Sequence, residues 1–136
     1  MNKFFKILVL LLFPLILLTG CSNNEKRPFV AFSNQPITEN TTPQSYFKAG
    51  TRVYYAAVKP KGFNDKVLRI QIFKQDDKVN ILGYSYQSTK DYRLENDKYY
   101  TDYFVIYTPG HYYMQVFEIT NLQKPVILGD FWIVER

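Results

Sequence analysis

The chain has 136 residues, with 17 basic and 12 acidic side chains, a formal net charge of +5, one cysteine and one histidine. That length holds a single domain. A lone cysteine excludes an intrachain disulfide, one histidine and one cysteine leave too few ligands for a zinc site of the usual kind, and a surplus this small does not point to nucleic acid.

The N-terminus has the three parts of a secretory signal. Lys3 and Lys6 precede an apolar stretch, Ile7 to Leu18, broken only by Pro14, and small residues then lead to Cys21. The run is short for a membrane span, which takes roughly 20 residues, and Pro14 would break a spanning helix near its middle. Leu18-Thr19-Gly20-Cys21 resembles the lipobox of bacterial lipoproteins, an aliphatic residue and two small ones before the cysteine. The resemblance covers residues 1–21. It implies a diacylglyceryl group on the Cys21 thiol, cleavage before Cys21 and acylation of the new N-terminus. Two or more acyl chains hold a protein stably on a membrane, where one holds it marginally. Ser22 stands where an aspartate favours inner-membrane retention in Gram-negative lipoproteins. The expected location is thus membrane-anchored on the periplasmic or extracellular side, and at the outer membrane in a Gram-negative host.

Removing residues 1–20 also removes Lys3 and Lys6, so 15 basic and 12 acidic groups remain, a net +3. The expected organisation is a signal peptide over 1–20, a lipidated tether over 21–27 and one domain over 28–136. All 12 tyrosines, Trp132 and eight of the 11 phenylalanines lie after the signal, a supply that suits strands.

Phe29 to Phe32 reads as an edge strand, and Ser33 to Ser45 as a polar loop or further tether. Thr51 to Val58 is the next strand. Val67 to Lys74 alternates, with Leu68, Ile70 and Ile72 on one face and Arg69, Gln71 and Phe73 on the other. A turn over Gln75 to Lys78 leads to a strand from Val79 to Tyr86. Gln87 to Lys98 is polar, with room for a short strand at Tyr92 to Leu94. Strands follow at Tyr99 to Tyr107, His111 to Thr120 and Val126 to Val134. No helix is expected after the signal. Seven or eight strands at this spacing predict an all-β, antiparallel two-sheet sandwich.

Gly110-His111-Tyr112-Tyr113-Met114 sharpens this. A tyrosine two residues after a turn glycine, opening the penultimate strand, resembles the tyrosine corner of immunoglobulin-like sandwiches. The resemblance implies that the Tyr112 phenol bonds backbone upstream. Met114 stands where antibody domains carry cysteine, and Trp132 lies in the last strand rather than the third. A transthyretin-like or jelly-roll sandwich fits these residues as well. Architecture of this kind carries no function.

No catalytic constellation is legible. His111 reads as a solvated strand-start residue, and no serine sits in a recognisable nucleophile elbow. Asp91, Glu95, Asn96, Asp97 and Asp102 cluster in sequence without the spacing of an EF-hand, and read as a solvated acidic loop. The chain is expected not to be an enzyme; Asp91, Glu95, Asp97 and Asp102 are the only carboxylates an enzyme reading could use. No cofactor and no metal are expected.

What remains is surface. Alternation turns Tyr112, Met114 and Val116 inward and Tyr113, Gln115, Phe117 and Ile119 outward. In the last strand either Phe131 and Ile133 or Trp132 and Val134 must also face out. If these strands share a sheet, its outer face is unusually apolar, which marks a partner site. Arg69, Phe73, Tyr113 and Phe117 are the expected contact residues for an envelope protein partner. A carbohydrate-binding module, with aromatic rings stacking on sugars, is the alternative. Tyr84, Tyr86, Tyr92, Tyr99, Tyr100 and Tyr103 form a second aromatic set, read mainly as cover for the sandwich.

Overall fold

The computed structural model describes residues 26–75 and 84–136, with side chains from 88 onward in the second segment. Cys21, the turn at Asp76 and Asp77 and the strand start expected at Val79 lie outside the described residues.

The described residues form eight strands: β1 (Phe29–Ser33), β2 (Tyr46–Lys48), β3 (Arg52–Val58), β4 (Val67–Gln75), β5 (Tyr84–Arg93), β6 (Tyr99–Val105), β7 (Gly110–Glu118) and β8 (Ile127–Val134). Among the described residues there is no helix. One sheet has the order β1-β3-β6, the other β2-β8-β7-β4-β5. The expected all-β sandwich is therefore the fold.

The alternation in β4 and β7 places Leu68, Ile70 and Ile72 and Tyr112, Met114 and Val116 in one core with Val53, Tyr55, Ile127 and Ile133. Phe131 joins the two sheets. Its ring lies 4.9 Å from Phe32 and 5.0 Å from Phe104, both of the opposite sheet, and stacks on Tyr112 at 5.5 Å. Fully burying a ring of this size supplies about 1.5–3 kcal/mol. At Gly129, two residues before Phe131 in β8, the first sheet packs close on the backbone: a Cβ there would meet Val30 Cγ1 of β1.

The tyrosine corner is formed. The buried Tyr112 donates its hydroxyl hydrogen to Thr108 O at 2.6 Å, across the turn that leads into β7.

Two expectations change and one is narrowed. The sandwich is not wholly antiparallel, because β2 pairs with β8 in parallel, Tyr46 opposite Trp132 and Lys48 opposite Val134. Of the two readings of 33–45, the polar loop is the one formed, tied at its end by Gln44 N donating to Phe32 O and Trp132 N to Ser45 O. A three-residue strand between polar neighbours gives no period-2 signal. And β5 runs on to Arg93 through residues read as a polar loop. It is an edge strand whose inward side chains Ser88 and Lys90 line an open cleft, so apolar alternation is not required of it.

Candidate functional site

Among the described residues, the outer face of the five-stranded sheet carries four exposed large apolar or aromatic side chains, Tyr46, Leu128, Trp132 and Val134. In β8 it is Trp132 and Val134 that face out, with Leu128 and Asp130, while Phe131 and Ile133 are buried. Two apolar sets competed for the core, and the one carrying Phe131 fills the space between Phe32 and Phe104.

Register arranges this face in rows. Tyr46, Trp132 and His111 stand side by side across β2, β8 and β7. Asp130, Tyr113 and Phe73 form the next row, then Leu128, Gln115 and Gln71. The last row pairs Phe117 with Arg69, and Arg69 with Asp91.

The first row is an aromatic ladder. The His111 and Trp132 rings are 4.1 Å apart and 2° from parallel, and Tyr46 stacks beyond Trp132 at 6.4 Å and 13°. His111 is fixed from several sides. Its Nε2 lies 2.7 Å from Asp130 Oδ2, so this nitrogen carries a hydrogen and donates it. Nδ1 lies 3.0 Å from Gln75 Oε1 and 3.3 Å from the Tyr113 hydroxyl. A neutral ring accepts there, from the Tyr113 hydroxyl or a turned Gln75 amide; the imidazolium donates. His111 is thus a built-in part of the face, not the solvated residue expected of it.

The ladder ends on a concave edge. A cleft of about 580 Å³ runs beside Tyr46 and Lys48 of β2 and Arg52 and Tyr54 of β3. Tyr46 is 66% and Trp132 40% exposed, and Leu128 and Val134 extend the apolar area.

The structure places the four expected contact residues on this one face, as two cross-strand pairs, Phe73 with Tyr113 and Arg69 with Phe117. Tyr113 belongs to the His111 network. Arg69 is held by Asp91, Nε to Oδ1 at 2.8 Å and Nη2 to Oδ2 at 3.0 Å. The hydrogen bond from Arg69 keeps the Asp91 carboxyl below the ordinary carboxylate range. Phe117 is corrected: expected to be exposed, it is 7% exposed. Alternation fails at the end of β7, where Val116, Phe117 and Glu118 are all buried next to the turn over 119–126, which returns with Val126 N on Val116 O. Tyr46 and Asp130 were not legible as site residues.

The acidic residues of 91–102 do not converge. Asp91 serves Arg69, Asp102 accepts from the Tyr100 hydroxyl and Tyr103 N, and Glu95 and Asp97 lie in the β5–β6 connection. Among the described residues no three of His, Cys, Asp and Glu come together as a metal site. In the second aromatic set, the Tyr92 and Tyr100 rings pack 4.7 Å apart with planes tilted by 33°, Tyr100 lies 6.2 Å from the buried Tyr55, and Tyr99 and Tyr103 are half exposed. A cleft of about 430 Å³ opens between β5 and β6, lined by Ile70, Ile72, Lys90, Tyr92 and Phe104.

Comparison of the chain with protein-family models and with curated proteins finds no match.

Proposed function

We propose that this chain is a membrane-anchored lipoprotein of the bacterial envelope, held by lipid on Cys21, whose immunoglobulin-like sandwich binds another protein and catalyses nothing. The strand order β8-β7-β4-β5 and the Tyr112 corner support the immunoglobulin-like reading. The observation that carries the binding role is the outer face of the five-stranded sheet, where Tyr46, Leu128, Trp132 and Val134 all stay exposed on one side. Apolar and aromatic area of this kind with a polar rim, here Asp130, Gln75 and Gln115, is the composition of a protein interface.

The ring geometry favours a protein over a sugar. Stacking a sugar needs a free ring face. Trp132 stands between its two register neighbours, with one face taken by the His111 ring at 4.1 Å and Tyr46 on the other side, so it is not an open platform for a sugar. Such a ladder suits apolar side chains of a partner.

The test is photocrosslinking in intact cells, with a photoreactive residue at Tyr46, Leu128 or Trp132 and a control at Tyr99 on the other sheet. Adducts with one partner protein from the first three sites and none from Tyr99 are expected. Monomer alone at all three sites sinks the reading. A shift of Trp132 emission on titration with glycan fragments would favour the sugar alternative.

A further inference from the structure

The charge of the described residues is concentrated at one end of the sandwich. Strands β3, β5 and β7 end there, β4, β6 and β8 begin there, and β1 enters there: Phe29 is opposite Val58, Val58 opposite Tyr99, Val67 opposite Arg93 and Leu68 opposite Glu118. The segments at this end, 26–28, 59–66, 93–98 and 118–126, hold eight basic and four acidic side chains, a net +4. The remaining described residues hold six basic and five acidic, a net +1. Lys66, Lys98 and Lys124 are exposed.

The same segments are tied into a platform. Lys59 N donates to Lys98 O, Phe63 N to Asp97 O and Leu94 N to Lys66 O, at 2.8, 2.6 and 2.8 Å. Asp65 Oδ2 accepts from both Thr120 N and Thr120 Oγ1, and Glu118 Oε1 accepts from Lys59 Nζ and Asn64 N. Half-exposed Phe29, Tyr99 and Leu122 lie at this end among the basic groups. Basic groups interspersed with exposed aromatic and apolar ones fit the interface of a lipid bilayer.

We infer that this end docks on the anionic lipid headgroups of the membrane that holds the chain. The inference rests on the lipidation of Cys21 proposed above. Four residues separate Cys21 from Lys26, five steps that span at most about 18 Å when fully extended. The platform therefore stays close to the surface, and an anionic leaflet supplies about 1 kcal/mol of attraction for each basic group brought near it. The aromatic ladder of Tyr46, Trp132 and His111 lies at the other end of the sheet, where β7 begins and β8 ends, so docking leaves it facing away from the membrane.

The full chain as cells export it, placed in vesicles of phosphatidylcholine with or without phosphatidylglycerol, is labelled with a water-soluble lysine reagent and read by mass spectrometry. Docking predicts labelling of Lys66, Lys98 and Lys124 about fivefold slower on the anionic vesicles. High salt should restore it, and Lys48 and Lys90 should be unaffected. Equal rates on the two vesicles, with lipid found on Cys21, overturn the docking and leave the anchor standing. A Cys21 without lipid overturns the anchor. Flotation of the same sample then decides the docking: flotation with anionic vesicles only supports it, and flotation with neither overturns it. The variant with Lys66→Glu, Lys98→Glu and Lys124→Glu, all exposed positions, should lose the preference for anionic vesicles. If it keeps that preference, the platform is not the contact.

Discussion

The His111 imidazole lies flat on the Trp132 indole, ring centroids 4.1 Å apart and planes 2° from parallel. Register makes the two residues direct neighbours on β7 and β8, and Asp130, two residues before Trp132, takes the hydrogen of His111 Nε2. Any charge gained by the imidazole is therefore placed on the face of the one tryptophan in the chain.

His111→Leu removes the ring stacked on Trp132 and should change the position and intensity of Trp132 emission while leaving the fold intact. An emission spectrum unchanged in His111→Leu would show that the two rings are not in contact.

Tyr112→Phe keeps the ring stacked on Phe131 and removes only the hydroxyl that reaches Thr108 O. The expected loss is about 1–1.5 kcal/mol, one hydrogen bond to a backbone carbonyl. For a domain near 100 residues that lowers Tm by about 4–8 °C per kcal/mol. Thermal unfolding followed by circular dichroism measures it, and an unchanged Tm would mean that the corner contributes no stability.

This corner was legible because its signal is local: a turn glycine, a tyrosine and the start of a strand lie within three residues. The inward sets of β4 and β7 were legible for a related reason. Leu68, Ile70 and Ile72 alternate with polar or aromatic residues, and a period of two fixes the face. In β8 both alternating sets are apolar, so periodicity could not choose between Phe131 and Trp132; packing against Phe32 and Phe104 did. The ladder itself was not legible. His111 draws its partners from three strands, Gln75 of β4, Tyr113 of β7 and Asp130 of β8. Tyr46 enters only through a three-residue parallel strand. Phe117 marks the other limit. Alternation says which side a residue faces, and nothing about how deeply it is buried there.

Tyr55, Tyr92, Tyr100 and Tyr112 all have phenols pushed above the ordinary value of 10.0, each chiefly by burial, with the nearby Asp102 carboxylate adding to the shift at Tyr55, Tyr92 and Tyr100. A raised folded-state value means that the folded chain keeps protons that the unfolded chain releases. The stability involved is complete below pH 10 and is lost as pH rises through the folded values. Phenolate absorbance should therefore show these four of the 12 tyrosines resisting ionisation above pH 10, and ionising together with alkaline unfolding. All 12 titrating as one class before unfolding would contradict the buried cluster.

Glu118 ties the platform to the end of β7. Its Oε1 takes hydrogens from Lys59 Nζ at 2.8 Å and Asn64 N at 2.9 Å, and its side chain is 8% exposed. Three substitutions separate these roles. Glu118→Leu strands both donors, one of them a backbone N–H, and should cost most, about 3 kcal/mol. Lys59→Met leaves a poorly solvated carboxylate with Asn64 N as its remaining partner, and should cost about 2 kcal/mol. Glu118→Gln keeps an oxygen for both donors and gives up only the charge, so about 1 kcal/mol is expected. Urea unfolding of the three variants gives the order directly. If Glu118→Gln cost as much as Glu118→Leu, charge rather than hydrogen-bond acceptance would hold this end together. Lys59→Met should then match both, since it removes the same ion pair from the other side.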